Sequence, residues 1–353
     1  MTTYAYAAQD AHSALAEYSF ERRETREGDV AIDILYCGVC HTDLHFSRND
    51  WNVSAYPLVP GHEIVGRVRE VGSDVTRFGP GDLVAVGTLV DSCQHCDMCR
   101  KDLEVYCREG VTPTYNGRDR ISGGMTLGGF SNNIVVREEM VLRVPENLDP
   151  SRVGPLLCAG ITTYSPLRTW NVGPGSRVAV VGLGGLGHLA VKFAAALGAD
   201  VTVISRSPGK STDALKLGAD RVLISTDQDQ MVAAAFSCDL IIDTIPYEHD
   251  LAPYIDLLDI DGTIVVVGAL STTPAYDNTP VIMGRRRIAG SAVGGIKETQ
   301  EMLDLCGKKN ILPECEIIPI QQINEAFVRM EKGDVHYRFV VDMSTLEVRD
   351  SVQ

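Results

Sequence analysis

The stretch from Ser176 to Gly187 reads S-R-V-A-V-V-G-L-G-G-L-G, a short apolar run followed by spaced glycines. Its β-branched start is typical of a strand that is buried on both faces. The glycines at 182, 184 and 187 would let a pyrophosphate approach backbone N–H groups where a helix begins. This pattern alone is weak evidence, but here it follows a strand and opens a helix. It therefore predicts a dinucleotide-binding turn.

Downstream of this turn, strand-like runs alternate with helical patterns. The runs are V-T-V-I-S, R-V-L-I, D-L-I-I-D-T and G-T-I-V-V-V-G. The predicted helices are Leu186–Leu197, Ser211–Leu217 and Gln228–Phe236. The alternation indicates an α/β, Rossmann-type domain with a doubly wound parallel sheet covered on both faces. We assign it residues 153–291, after a proline-bounded segment at 145–155.

The residues after the second strand of this domain decide which dinucleotide binds. An NAD site places an acidic residue there to bind the ribose hydroxyls. This chain has Ser205-Arg206-Ser207 and then Lys210, while Asp200 lies at the opposite end of the strand. Hydroxyls and cations suit a 2′-phosphate, so we predict NADP(H). The alternative is that Arg206 and Lys210 are solvated surface charges.

The remaining sequence predicts a second domain in two pieces, residues 1–152 and 292–353. Residues up to about 90 alternate β-like runs with turn signals, which indicates a β-rich, barrel-like domain. The last piece predicts two helices, Lys297–Lys308 and Ile323–Lys332, and a final strand. We expect this piece to pack on the first, so that the nucleotide-binding domain is inserted into a catalytic domain.

Two short stretches of the first domain supply candidate metal ligands. They are Cys40, in C-G-V-C-H-T-D-L-H, and His62, in P-G-H-E. A thiolate and an imidazole suit Zn²⁺, and a catalytic zinc takes three protein ligands with an open fourth position. Cys158 is the predicted third ligand, and Glu63 could occupy the fourth position transiently. The alternative is that each of these residues is an ordinary core residue.

Polar neighbours of Cys40 supply the chemistry that surrounds such a zinc. Asp43 would orient the ring of His62, and Thr42 with His45 would carry a proton outward. The alternative for Thr42 and His45 is that they are merely packed near the zinc.

A second metal site is predicted where four thiols follow one another closely. The four residues are Cys93, Cys96, Cys99 and Cys107. Their spacing lets one loop surround a single tetrahedral ion, and a closed four-cysteine site has no open position for chemistry. Its role would be structural, because it would fix a lobe that lacks a hydrophobic core of its own. A redox dithiol, or a site that uses His95 as a ligand, is the alternative.

Composition excludes several classes of partner for this chain of 353 residues. Its formal net charge of −15 argues against nucleic acid or an anionic membrane surface. The N-terminus has no signal-peptide pattern, and we find no stretch of 18 apolar residues. We expect a cytoplasmic protein whose ten cysteines are metal ligands and core thiols rather than disulfides.

These motifs occur in one fixed order and resemble the zinc-dependent medium-chain alcohol dehydrogenases. The closer likeness is to the cinnamyl alcohol dehydrogenase branch, including its broad-specificity bacterial aldehyde reductases, and it covers nearly the whole chain. The resemblance implies a GroES-like catalytic domain, a Rossmann domain, two zinc ions per chain and NADP(H). It also implies a homodimer paired through the late strands of the nucleotide domain. The implied reaction interconverts primary alcohols and aldehydes by hydride transfer.

The resemblance also assigns roles to single residues. Cys40, His62 and Cys158 would bind the catalytic zinc, Glu63 would be an alternate ligand, and Thr42 with His45 the relay. The residues expected to bind the cofactor are Thr162, Gly182, Leu183, Gly184, Gly185, Leu186, Gly187, Ser205, Arg206, Ser207, Lys210, Thr244, Val267, Gly268 and Arg338. The expected substrate-pocket positions are Trp51, Val53, Thr88 and Tyr115. This last set does not match a specialised plant lignin enzyme, so we predict only a broad apolar pocket.

Two other functions would fit parts of the sequence. A zinc-free quinone or enone reductase of the same architecture would need no thiolates at positions 40 and 158. A non-catalytic, zinc-binding regulatory protein would keep the four-cysteine lobe without needing a complete relay.

Overall fold

The structure is a computed structural model that describes residues 2–268 and 272–347. The chain divides into two compact units, Met1–Cys158 with Gly294–Gln353, and Ala159–Val293. The domain boundaries predicted from the sequence, between residues 152 and 153 and between residues 291 and 292, remain predictions. None of the helices described has the length and apolar character needed to cross a bilayer.

The first unit is built mainly from antiparallel strands. Its strands are β1 Thr2–Ala7, β2 Ala16–Glu21, β3 Asp29–Val39, β4 Ile64–Val71, β5 Leu83–Val86, β6 Leu89–Asp91, β7 Thr112–Pro113, β8 Asn133–Arg137, β9 Leu142–Arg143, β16 Cys315–Pro319 and β17 Arg338–Asp342. Its helices are α1 His41–Arg48, α2 Pro150–Val153, α9 Ile296–Lys309 and α10 Ile323–Glu331. The segments numbered after 294 therefore belong to the same unit as the N-terminal strands.

Strand β3 is the centre of this unit because it pairs with three other strands. Its first half pairs with β8, its second half with β17, and most of its length with β4. The seven-stranded sheet runs β16-β17-β3-β4-β5-β9, with β8 attached to β3. Among the described strands, these pairings form a branched sheet and not the closed ring of a complete barrel. Strand β3 ends at Val39, immediately before Cys40.

The core of the first unit draws on both pieces of the chain. Helix α10 carries Ile323, Ala326, Phe327 and Met330 on one face, at the spacing of an amphipathic helix. These residues join the same buried cluster as β3 and β4 side chains such as Ile32. Burial of apolar area contributes about 25 cal/mol per Å², so this stripe holds the C-terminal helix on the N-terminal sheet.

The second unit contains a six-stranded parallel sheet. Its strands are β10 Arg177–Val181, β11 Asp200–Ser205, β12 Arg221–Ile224, β13 Cys238–Asp243, β14 Leu258–Val266 and β15 Arg287–Gly290. Its helices are α3 Ala159–Thr169, α4 Gly187–Ala196, α5 Ser211–Leu217, α6 Gln228–Ala233, α7 Ala252–Ile255 and α8 Thr279–Met283. The order β12-β11-β10-β13-β14-β15 is the doubly wound arrangement of dinucleotide-binding domains.

Helices α1, α2, α3, α7 and α8 were not predicted from the sequence, and α6 ends earlier than predicted. Helix α6 ends at Ala233 and not at Phe236, whose φ of 61° is incompatible with a right-handed helix. Helix α3 was not predicted, and it accommodates Pro166 in its interior, a residue that normally disfavours helix. Helix α1 was not predicted either, because its eight residues are mostly polar and too few for a clear apolar period.

Candidate metal centre and nucleotide-binding turn

Cys40, His62, Glu63 and Cys158 come together inside the first unit. One ligand atom from each lies within 4.8 Å of the others, and all four side chains are buried. The sulfur atoms of Cys40 and Cys158 are 3.9 Å apart. Two thiols and an imidazole at these separations suit a tetrahedral zinc ion, with the carboxylate as a fourth possible ligand.

The carboxylate of Asp43 positions the first two ligands. It accepts hydrogen bonds from the backbone N–H groups of Cys40, at 2.9 Å, and Gly61, at 3.0 Å. Nδ1 of His62 lies 3.1 Å from the same carboxylate, which leaves Nε2 as the ring nitrogen available to a metal. Burial opposes a charged imidazole, but Asp43 and Cys40 together raise the pKa of His62 well above its ordinary value. The contact between Asp43 and His62 is the one that the sequence predicted.

Cys158 reaches the cluster through the turn Gly154–Leu157, which packs against the sheet. A side chain at Gly154 would stand 2.8 Å from the carbonyl oxygen of Glu63 and 3.0 Å from the backbone nitrogen of Gly38. Only glycine lets the two backbones approach this closely. The third candidate ligand, distant in sequence from the other two, is therefore fixed by a close packing of main chain on main chain.

The charges around the cluster fit a bound dication. A hydrogen bond with Cys158 holds the pKa of Cys40 well below its ordinary value, against the opposing effect of burial. Glu63 forms a buried ion pair with Arg338 through Oε1, whereas its Oε2 has no hydrogen-bond partner among the described residues. Burial raises the pKa of Glu63 to about 7, and Arg338 opposes that rise. An orphaned carboxylate oxygen beside two thiols matches a site built for zinc.

The four cysteines of the predicted lobe also converge. Their sulfur atoms lie within 4.8 Å of one another, with Cys99 at 3.6 Å from Cys96 and 3.8 Å from Cys93. The backbone N–H of Arg108 donates to the sulfur of Cys96, and this bond lowers the pKa of that thiol to about 6. Backbone donors aimed at sulfur favour thiolates, the form that binds metal. The geometry fits a closed tetrahedral zinc site.

His95 also lies near this lobe, with Cys93 and Glu109, at distances that could hold a metal. Both nitrogens of its ring already face oxygen atoms, however. Nδ1 is 2.6 Å from the carbonyl of Cys93, and Nε2 is 2.7 Å from a carboxylate oxygen of Glu109. These contacts favour the four-cysteine set over one that includes His95.

The glycine turn of the second unit has the geometry that a dinucleotide requires. Gly182 has a φ of 89°, in the left-handed region, and directly follows β10. A side chain at Gly187 would clash with the carbonyl of Gly182, whereas nothing stands within 4 Å of the position a side chain would take at Gly184. The turn is thus tight on its inner side and open on its outer side, at the amino end of α4, where the helix dipole favours a phosphate.

The carboxyl end of β11 carries no acidic side chain among residues 205–210. Ser205 is buried there, while Arg206, Ser207 and Lys210 are exposed. The ammonium group of Lys210 donates to the carbonyl of Leu183, within the glycine turn, at 2.8 Å. Asp200 begins β11 at the other end and is ion-paired with Arg221. These positions fit a 2′-phosphate better than a free ribose hydroxyl.

Comparison with known families decides the class of this protein. Residues 26–146 match the profile described as alcohol dehydrogenase GroES-like domain, and residues 185–308 match that of zinc-binding dehydrogenase. A cinnamyl alcohol dehydrogenase of Rauvolfia serpentina is 52% identical over 342 residues, which are 96% of this chain and 94% of that protein. The chain belongs to the zinc-binding alcohol dehydrogenase family.

Solved structures agree with this assignment over the whole chain. A cinnamyl alcohol dehydrogenase of Sorghum bicolor is 45% identical with a TM-score of 0.95, covering 99% of this chain and 100% of that one. The CAD of Helicobacter pylori, complexed with NADP(H), is 39% identical with a TM-score of 0.91, covering 98% and 99%. The predicted fold class, a GroES-like domain with a Rossmann domain, is confirmed.

The predicted relay of this alcohol dehydrogenase lies on α1. Thr42 and His45 share the helix that starts directly after Cys40. Nδ1 of His45 is 2.7 Å from a carboxylate oxygen of Asp50. In the part of the chain that the structure describes, no hydrogen bond joins Thr42 to His45 directly. The relay stays a prediction that requires a group between the two side chains.

The predicted pocket positions differ in burial. Tyr115 is buried with its ring 5.7 Å from that of His62, and its hydroxyl has no partner among described residues. Trp51 is half-buried, 5.1 Å from the rings of both His45 and Phe46. Thr88 is half-buried, whereas Val53 is exposed. Sequence reasoning missed Phe46, whose ring also contacts Tyr115 at 5.4 Å.

The other predicted cofactor residues are distributed as follows. Thr244 follows β13 and donates its hydroxyl to the carbonyl of Val181 at 2.7 Å. Thr162 lies on α3, and Val267 with Gly268 follows β14. Arg338 lies on β17 in the first unit, where it binds Glu63. A cofactor contact of Arg338 stays a prediction, and the ion pair is a role that the sequence did not suggest.

The two metal sites predict distinct outcomes when single thiols are replaced. We expect two zinc ions per chain by elemental mass spectrometry, one labile to chelator with loss of activity and one resistant. Cys99→Ser should lose the resistant zinc and lower the unfolding temperature, because a structural zinc contributes folding free energy. Cys158→Ser should lose the labile zinc and the activity with a smaller effect on unfolding.

Cys315→Ser is the matched control, since this free thiol belongs to neither cluster. It should keep both zinc ions. A parent protein with a single zinc, or a Cys99→Ser variant as stable as the parent, would contradict the two-site assignment.

Proposed function

We propose that this protein is a zinc-dependent, NADP(H)-linked alcohol dehydrogenase that interconverts primary alcohols and aldehydes, aromatic and aliphatic. The observation that carries the proposal is the buried cluster of Cys40, His62 and Cys158 with Glu63 beside it. Thiols at positions 40 and 158 would serve no purpose in a zinc-free reductase. The relatives named cinnamyl alcohol dehydrogenase and the NADP(H) bound by the Helicobacter pylori protein support substrate class and cofactor.

The chain would bind the two cofactors with separate sets of residues. Cys40, His62 and Cys158 would hold the catalytic zinc, with Glu63 as alternate ligand, and the Gly182–Gly187 turn would hold the pyrophosphate. When bound, zinc supplies Lewis-acid polarisation of a carbonyl oxygen, and NADPH supplies the hydride.

The side chains around the cluster would transfer a proton between the substrate and solvent. Asp43 fixes the orientation of the His62 ring through its contact with Nδ1. The Thr42 hydroxyl would donate a proton to the substrate oxygen, and His45 would replace it from solvent. The carboxylate of Asp50 holds the His45 ring at the outer end of that path. Buried aromatic rings, Tyr115 first among them, would keep water from the reacting carbon.

We further propose that two chains associate through the second unit. Strand β15 is at the edge of the six-stranded sheet, and the neighbouring helix α8 exposes Ile282 and Met283 by 71% and 78%. An unpaired edge beside exposed apolar side chains is a typical pairing surface. Sedimentation velocity should show a dimer, and a monomer at micromolar concentration would overturn this. A cytoplasmic location is proposed from the ten free cysteines.

A substrate survey tests the proposed reaction directly. The purified protein should oxidise NADPH in the presence of benzaldehyde and of aliphatic aldehydes, and should run in reverse with the alcohols. NADH should be a poorer donor, because Arg206 and Lys210 suit a phosphate and no carboxylate replaces them. Absence of turnover by a protein that carries both zinc ions would instead favour the non-catalytic, zinc-binding alternative.

Cofactor preference should follow the side chains after β11. Arg206→Asp, combined with Ser205→Asp if needed, should shift preference from NADPH toward NADH. The change removes a charge-assisted bond to the phosphate and adds an acceptor for ribose hydroxyls. Steady-state kcat/KM with each cofactor measures it. Arg221→Ala, at the opposite end of the sheet, is the control and should leave preference unchanged; an unchanged preference in the Arg206 variant would refute this placement.

The relay predicts unequal losses for its two members. Thr42→Val should lower kcat by roughly 10²–10⁴-fold, the usual worth of acid–base assistance, with zinc retained. His45→Ala should cost less, because water can replace the outer member of the path. Both variants need kcat measured against pH, with zinc content checked. A Thr42→Val enzyme of near-parental rate would show that the proton travels by another route.

A further inference from the structure

The segment that follows β13 lies against the end of that strand through a buried contact between a carboxylate and an imidazole. Asp243 is fully buried, and its Oδ2 lies 3.0 Å from Nε2 of His249. Its other oxygen accepts the N–H of Ile245 at 3.2 Å. A buried carboxylate is costly without a polar neighbour, and at Oδ2 that neighbour is the His249 ring, although these two atoms form no well-aligned hydrogen bond and have no other partner among the described residues.

The same imidazole also holds the backbone between these two residues. Nδ1 of His249 lies 2.8 Å from the carbonyl oxygen of Tyr247, and the ring of Tyr254 packs 6.1 Å away. The side chain of His249 is itself mostly buried. Residues 244–249 are therefore fixed at both ends of a short arc, and Tyr247 is held at its tip.

The ring of Tyr247 lies beneath the guanidinium of Arg206. The distance from the central guanidinium carbon to the ring centroid is 5.8 Å, within the range of a cation–π contact. The Tyr247 side chain is 49% exposed, so its ring is not simply part of the core. Its position beside Arg206 therefore needs another explanation.

Arg206 differs from other arginines of the second unit because it has no carboxylate partner among the described residues. Arg177, Arg221 and Arg285 all form ion pairs with aspartates. Within residues 2–268 and 272–347, no carboxylate lies at ion-pair distance from Arg206. The chain carries 47 acidic against 32 basic residues, so an exposed guanidinium without a carboxylate partner is conspicuous. Such a cation is available for an external anion, and an aromatic ring can hold it in place without neutralising it.

We propose that Tyr247 is a specificity-determining residue for the phosphorylated cofactor, which braces Arg206 for the 2′-phosphate, and that the Asp243–His249 pair positions Tyr247. The inference rests on the proposed function, since it takes Arg206 to meet that phosphate. An unbraced arginine loses rotamer freedom when it binds the phosphate, and this loss weakens binding. The ring reduces that loss only for the ligand that carries the 2′-phosphate.

Two small ligands isolate this effect from catalysis. Adenosine 2′,5′-bisphosphate and adenosine 5′-monophosphate differ by the 2′-phosphate alone, and calorimetry on the zinc-loaded protein gives both dissociation constants. Tyr247→Ala should weaken binding of the bisphosphate by about two- to fivefold, the effect expected of an exposed cation–π contact. Binding of the monophosphate should stay unchanged. Tyr247→Phe keeps the ring and should bind both ligands like the parent. In each variant, the KM for NADPH should rise by about the same factor as the dissociation constant of the bisphosphate, with kcat little changed.

A double-mutant cycle tests whether Tyr247 acts through Arg206. In an Arg206→Ala background, Tyr247→Ala should have no further effect on the ratio of the two dissociation constants. If Arg206→Ala does not itself weaken the bisphosphate selectively, the proposed cofactor assignment fails, and this inference fails with it. If Arg206→Ala does so but Tyr247→Ala does not, only the role of Tyr247 is overturned. Equal weakening of both ligands by Tyr247→Ala would show that the ring contacts adenine, which also overturns it.

The positioning role of His249 needs its own comparison. His249→Leu should reproduce the selective loss seen in Tyr247→Ala, with monophosphate binding and the kcat for NADH retained as evidence of a folded unit. Asp250→Asn, at the exposed neighbouring residue, is the control and should match the parent. A His249→Leu protein that binds the monophosphate normally and keeps the parental ratio would show that the Asp243–His249 pair does not position Tyr247.

Discussion

A single buried carboxylate, that of Asp43, joins the two segments that carry the candidate metal ligands Cys40 and His62. It accepts the N–H groups of Cys40 and Gly61 and contacts the ring of His62. Because it has no exposure to solvent, it can be satisfied only when both segments are in place. The fold therefore orients Cys40 and His62 toward one point through protein contacts alone. This preorganisation is what lets a catalytic metal keep one position open.

The same requirement extends outward to the distant parts of the chain. Strand β3 delivers Cys40 and pairs with β17, which delivers Arg338 to Glu63. The Gly154 turn then packs on Glu63 and Gly38 and brings Cys158. The structural lobe is held in a comparable way, since buried Glu104 accepts the N–H of Ile296 at the start of α9. Both candidate metal sites thus depend on the C-terminal piece of the unit.

Local patterns explain which features were predictable from sequence. The candidate zinc ligands and the glycine turn lie in recognisable local motifs, and α5 ends where Gly218 takes a φ of 111°, a helix-stop signal that the sequence shows. The Arg338–Glu63 pair joins residues 275 positions apart, so no local sequence pattern predicts it. Helix α3 is stabilised by burial of nearly its whole length, which overrides the propensity of Pro166. Tertiary packing determines the Arg338–Glu63 pair and helix α3, and local patterns in a single sequence do not indicate such packing.

The charge balance of the nucleotide site follows from the placement of very few side chains. The chain has a formal net charge of −15, so long-range electrostatics repel a phosphorylated cofactor. Attraction must then be local, and local attraction survives only where carboxylates do not neutralise the cation. Asp200 lies at the amino end of β11, where it forms an ion pair with Arg221, and Lys210 donates to the carbonyl of Leu183. Among the described residues, Arg206 has no carboxylate partner at the carboxyl end of β11, where an unneutralised cation attracts phosphate most effectively.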